Sequence, residues 1–112
     1  MKVTASIVMY SGMRDPEMEV SPEISQEIIE KLRLAYEESD KKLKSKLGLN
    51  GYMVIWHGGD GVPYTHIHVY DGIIAIRCFT GISYMKDTVG LEEYLKNLLI
   101  STLQDHINGY SQ

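Results

Sequence analysis

The sequence predicts an α+β domain with about four mainly antiparallel strands and two helices packed on one face. Three observations carry that reading. Residues alternate from Lys2 to Tyr10 with the period of a half-buried strand, an amphipathic segment follows Ser21, and two strand-like runs flank Asp71-Gly72. The expected order is strand, helix, three-strand meander, helix, and 112 residues suit a single globular domain spanning 1–112.

Each element has a local cause. In the first strand Val3, Ala5, Ile7 and Met9 share one side, with Lys2, Thr4, Ser6, Val8 and Tyr10 on the other. Ser11-Gly12-Met13-Arg14-Asp15-Pro16-Glu17 is turn chemistry, because glycine tolerates positive φ and proline restricts both itself and Asp15. Ser21-Pro22-Glu23 starts a helix: Ser21 caps free amides, Pro22 suits the first helical position and Glu23 opposes the positive end of the dipole. The spacing of Ile24, Ile28, Leu32, Ala35, Tyr36, Leu43 and Leu47 extends this helix to about Lys46. Glu37 with Lys41, and Glu38 with Lys42, would be i to i+4 pairs on its wet side.

Gly48 and Asn50-Gly51 end that helix. Strands are expected from Tyr52 to His57, Tyr64 to Tyr70 and Ile73 to Thr80. Gly58-Gly59-Asp60-Gly61-Val62-Pro63 joins the first two, and Asp71-Gly72 predicts a type I′ hairpin between the others. After Gly81 a polar Lys86-Asp87-Thr88 loop leads to a second helix from about Gly90 to Ile107, with Leu91, Tyr94, Leu95, Leu98, Leu99, Thr102 and Leu103 as its apolar stripe. His106 near its end would oppose the negative end of that dipole.

Composition excludes several classes of function. With 11 Lys plus Arg against 15 Asp plus Glu the net charge is −4, so non-specific binding to nucleic acid is disfavoured. One cysteine, Cys78, permits no internal disulfide and no Cys₄ or Cys₂His₂ zinc site, and its apolar surroundings suit an inert thiol. No apolar run approaches the roughly 18 residues of a membrane span, and the N-terminus is too polar for a signal peptide. A soluble, cytoplasmic chain is the expectation. Walker A, dinucleotide and His-Glu-x-x-His motifs are missing, and the glycine-rich run after Trp56-His57 lacks the Gly-x-Ser-x-Gly elbow that an esterase would need.

Apolar strand residues divide into two sets, and only one can lie under two helices. Placing Val3, Ala5, Ile7, Met9, Met53, Ile55, Thr65, Ile67, Val69, Ile74, Ile76 and Cys78 inward leaves Tyr52, Trp56, Tyr64, His66, His68, Tyr70, Arg77 and Phe79 outward. Aromatic rings with an arginine are what buried interface centres prefer, so this face is the expected binding surface. Two arrangements would make it ordinary. The second helix could cover this side, or the Tyr52 to His57 strand could have the opposite parity.

Thr65-His66-Ile67-His68 points two imidazoles the same way, and they could share a transition metal with His57 as a third ligand. His57 has the other parity in this assignment, and no cofactor is otherwise implied. Asp15, Glu17, Asp60, Asp71 and Asp87 lie in loops without the paired spacing of acid and base catalysis, which weighs against an enzyme.

The run from Ile7 to Ser21, with Ser11-Gly12-Met13-Arg14-Asp15-Pro16 at its centre, then a helix and Leu49-Asn50-Gly51-Tyr52, resembles small uncharacterised microbial proteins carrying Ser-Gly-x-x-Asp/Asn-Pro near the N-terminus. Met18 stands where an aromatic residue is more usual in that group. The resemblance implies no activity and no site residues. It marks the Ser11 to Pro16 loop as more than a spacer.

The leading expectation is a non-enzymatic interaction module, dimeric or bound to another protein, with Trp56 and Arg77 as anchors and the histidines adding pH sensitivity. One alternative is a small-molecule or metal-binding protein, possibly an enzyme, built around His66, His68 and His57. Another is an acidic inhibitor or immunity-type protein aimed at a basic partner, which the charge alone suggests.

Overall fold

A computed structural model describes residues 2–10, 15–43, 48–58 and 64–110, with the backbone alone for Tyr10, Gly48, Leu49, Tyr64 and 101–110. The chain is α+β, with elements β1 (Lys2–Tyr10), β2 (Glu17–Glu19), α1 (Pro22–Leu34), β3 (Gly48–His57), β4 (Tyr64–Tyr70), β5 (Ile73–Cys78), β6 (Gly81–Lys86) and α2 (Leu91–Tyr110). They form one six-stranded antiparallel sheet ordered β2-β1-β3-β4-β5-β6. The fold class matches the sequence expectation, and the sheet is wider by one short strand at each edge.

Both added strands complete hairpins. At the first, the Asp15 carboxylate accepts from the Met9 N–H at 2.9 Å and the Ile7 N–H donates to the Pro16 carbonyl at 3.0 Å, which folds β2 back along β1. Ser11 to Arg14 lie outside the described residues, so only the Asp-Pro end of the Ser-Gly-x-x-Asp-Pro run can be placed, and it closes this hairpin. At the second, Phe79-Thr80 turns β5 into β6, so β5 stops at Cys78 and the run after Gly81 is strand rather than loop. Asp71 and Gly72 have φ of 53° and 76°, the positive pair that a type I′ turn requires.

Ser21 caps α1 as expected, its Oγ accepting from the Ile24 N–H at 3.2 Å with Pro22 at the first helical position. The helix ends at Leu34, not near Lys46. Beyond it the chain lies along the β6 edge: the Ser39 N–H donates to the Tyr84 carbonyl and the Lys86 N–H to the Glu37 carbonyl, each at 2.8 Å. An edge strand offers unsatisfied amides and carbonyls, and pairing with them outweighs the mild helix propensity of Glu37 to Lys42. The expected Glu37–Lys41 and Glu38–Lys42 helical pairs do not form; Glu37 meets Lys86 at 3.6 Å and Lys42 lies over the Tyr84 ring at 6.0 Å. Lys44 to Leu47 are outside the described residues.

Both helices pack on one face of the sheet. Ile28, Ile29 and Leu32 of α1 and Leu91, Leu95 and Leu99 of α2 join Val3, Ala5, Ile7, Tyr52, Val54, Trp56, Ile67, Val69, Ile74 and Ile76 in one core. The Asp87 carboxylate accepts from the Leu91 and Glu92 N–H groups at 2.8 Å and so caps α2. Tyr94 ties the helices together, donating to Glu27 at 2.5 Å beneath the Lys31 ammonium; burial, then that carboxylate, push its phenol up to about 12. Among the described residues no helix is long and apolar enough to cross a membrane.

Candidate functional site

The parity of β3 is opposite to the first assignment. Val3 pairs with Trp56, Ala5 with Val54 and Ile7 with Tyr52, and on the other side Tyr52 pairs with Val69 and Val54 with Ile67. Tyr52 and Trp56 are therefore core residues, 7% and 3% exposed, and Met53 and Ile55 take the outward face. Both sets in this strand are apolar, so alternation alone does not choose between them. Burial of the indole decides: Trp56 is the largest apolar side chain of β3, and on the helix-packed face its Nε1–H finds the Ser25 hydroxyl of α1 at 3.1 Å.

A bulge separates β3 from its own beginning. Ile7 pairs with Tyr52 but Met9 with Leu49, so β3 carries one extra residue at Asn50-Gly51. Gly51 has φ +88°, and a Cβ there would sit 2.2 Å from the Val69 carbonyl oxygen. Only glycine fits this step.

The face away from the helices is built in cross-strand rows. One row runs Glu19, Thr4, Ile55, His66, Arg77, Ile82 from β2 to β6, and the next runs Glu17, Ser6, Met53, His68, Ala75, Tyr84. His66, His68, Tyr70 and Arg77 thus keep the outward placement expected of them. Phe79 projects from the β5–β6 turn, 77% exposed, and Ile82 is 45% exposed. The Tyr64 side chain lies outside the described residues.

This face is not bare at every point. After lying along β6, the chain brings Asp40 to Leu43 over its near end, beside Tyr70, Asp71 and Ile73. Ile73 is buried although it is outside the helix-packed core. Leu43 then borders a shallow depression of about 190 Å³ lined also by Met53, His66, His68, Ala75, Arg77, Ile82 and Tyr84. Among the described residues no carboxylate lines it.

The electrostatics of the depression favour an anion over a metal. Burial first, then the charges of Arg77 and His68, lower the pKa of His66, so its imidazole is neutral at pH 7. His68 places Nε2 2.6 Å from the Asn50 carbonyl, and since a carbonyl only accepts, that nitrogen carries the proton. While this bond holds, only Nδ1 of His68 could ligate a metal. His57 shares the outward face, contrary to the parity first assigned, but it pairs with Lys2 and its Nε2 bonds the Thr4 hydroxyl at 3.1 Å. Among the described residues no three His, Cys, Asp or Glu side chains converge as metal ligands. A cation would also meet the Arg77 guanidinium opposite His66.

Sequence reasoning missed Leu43, Met53, Ile55, Ile82 and Tyr84 as members of this surface. Ile82 and Tyr84 were legible in the alternation of Gly81 to Lys86. Leu43 was not, because its place depends on where α1 stops. Cys78 is half-buried at the end of β5, and the glycine run beyond Gly58 and the His106 side chain lie outside the described residues. Comparison with protein-family models, curated proteins and solved structures returns no match, so the geometry of this face is what a functional reading rests on.

Proposed function

We propose that this protein is a non-enzymatic interaction module whose open sheet face associates with the same face of a second copy. The observation that carries this reading is the row Glu19–Thr4–Ile55–His66–Arg77–Ile82. A two-fold axis parallel to the strands, passing between the stacked sheets, reverses the row upon itself. Ile55 of one copy then faces His66 of the other, and Arg77 faces Thr4 beside Glu19, one strand spacing of about 4.8 Å away.

The pairing sets Ile55 against His66 at its centre and brings Arg77 of each copy beside Glu19 of the other, a charge complementarity that suits a self-complementary interface. Asp40 to Leu43 occupy one end of the face, so the free part is smaller than the whole sheet. Such a contact falls at the low end of interface sizes and is reversible and salt-sensitive.

Charge reversal tests it by sedimentation velocity at low ionic strength. Wild type is expected to show concentration-dependent association, Arg77→Glu or Glu19→Arg alone to abolish it, and the double variant to restore it. A wild type that stays monomeric at sub-millimolar concentration, or single variants that associate as well as wild type, would sink the reading. In that case a different protein is the remaining candidate occupant of the face.

A further inference from the structure

We infer that the depression between Leu43 and Arg77 binds a small organic monocarboxylate, its carboxylate on Arg77 and its apolar body against Met53, Ala75 and Tyr84. The inference shares Arg77 with the contact proposed above but does not rest on it. It follows from three properties of the depression: its charge, its walls and its size.

At neutral pH the lining carries one full positive charge, the Arg77 guanidinium, because His66 is neutral and no carboxylate among the described residues lines the depression. In a chain of net charge −4 such a concavity stands apart from the bulk surface. One charge suits a monoanion better than a dianionic phosphate, and the guanidinium fork matches the two carboxylate oxygens. His66 pairs directly with Arg77 across the β4–β5 ladder and lines the same depression, so its imidazole lies beside the guanidinium.

The remaining walls are apolar, with Leu43 on the strap side and Ile82 on β6. Lys42 at the rim is directed to the Tyr84 ring at 6.0 Å. A volume of about 190 Å³ lies below the roughly 300–1,000 Å³ of drug-sized sites, which limits the ligand to about one ring. The charged and titratable groups facing His66 are Arg77 from β5, His68 from β4, Lys42 and Tyr84 at the far side, and none from Met53 and Ile55 of β3. A bound carboxylate opposes the influence of the Arg77 guanidinium on His66. Binding therefore takes up protons below pH 7 and strengthens as pH falls.

Benzoate is the probe, followed by NMR of the histidine rings and the Ala75 methyl group, with benzamide as the neutral isostere and inorganic phosphate as the competing anion. Benzoate is expected to bind with a Kd on the order of 1 mM, an ordinary efficiency for so small a ligand. Benzamide and phosphate should bind at least tenfold more weakly, and the His66 pKa should rise in benzoate. Arg77→Gln should weaken benzoate at least tenfold. Ala75→Met, which fills the depression and leaves Arg77 in place, should abolish binding with the rest of the spectrum unchanged.

Glu19→Gln removes the carboxylate of the two-fold contact and leaves the depression intact, so benzoate should bind that variant at least as tightly as wild type, and more tightly than a wild type associated through this face. Equal binding of benzoate and benzamide, tighter binding of phosphate, or no shift at His66 and Ala75 would each overturn the assignment.

Discussion

The two faces of the sheet use nearly the same residue classes for opposite ends. On the helix-packed face Trp56, Tyr52, Val54, Ile67 and Ile74 are sealed, and the indole N–H has its hydroxyl on Ser25. On the open face Met53, Ile55, His66, Arg77 and Ile82 remain partly or largely accessible, while Val8 of β1 is buried and the Asp40 to Leu43 strap lies beside a buried Ile73 at one end. The difference teaches that hydrophobicity alone does not assign a face. A large side chain goes inside where its polar atom can be satisfied, and a charged neighbour in the same row keeps the other face wet.

That contrast can be broken first at Trp56. Trp56→Ala leaves a core cavity and an unpaired Ser25 hydroxyl, and a loss of about 3–5 kcal/mol in urea unfolding is expected. Ile55→Ala, one residue along the same strand on the open face, should cost far less, on the order of 1 kcal/mol. Similar losses at the two positions would mean that the faces are not distinct.

Gly51 tests the step that carries β3 into register. Gly51→Ala combines an unfavourable φ with a Cβ overlapping the Val69 carbonyl oxygen, and about 2–4 kcal/mol is expected. Gly72, also at positive φ but with nothing near its added Cβ, should tolerate alanine at roughly 1–2 kcal/mol. A smaller effect belongs to Asp87→Ala, which removes the acceptor for two α2 amides and should cost about 1 kcal/mol by thermal melting.

The least effect on stability, and the sharpest on the open face, concerns protonation of His66. Its folded pKa lies below the ordinary 6.5, so the unfolded chain binds the proton more readily. The stability this neutral ring contributes is complete above pH 6.5 and is lost as the pH falls through the folded value. Melting temperature should drop modestly between about pH 7 and pH 5, and His66→Gln should flatten that slope. An unchanged slope in the variant would show that burial beside Arg77 and His68 does not hold the His66 pKa down.

Much of the fold was legible because its causes are local. The Asp71-Gly72 turn needs two residues that accept positive φ, and Ser21-Pro22 is a helix start whatever follows. Val3, Ala5 and Ile7 point inward because their neighbours Lys2, Thr4 and Ser6 are polar. Where both parities are apolar, as from Tyr52 to Trp56, the pattern carried no such signal, and the first assignment put Tyr52 and Trp56 on the wrong side. The candidate site was legible in His66, His68, Tyr70 and Arg77, since a polar residue on a strand with one buried face reports its own orientation.

By itself the sequence determined the α+β class, the caps, the I′ hairpin and the outward set on β4 and β5, all of which depend on residues within a few positions of one another. Tertiary structure alone decided that α1 stops at Leu34, that Leu43 crosses to the open face, and that Trp56 turns inward. Each of those outcomes is settled by a distant group: the β6 edge that pairs with Glu37 and Ser39, and the Ser25 hydroxyl that receives the indole N–H. Hydrogen bonds made across the fold select among conformations that the local sequence leaves nearly equal in energy.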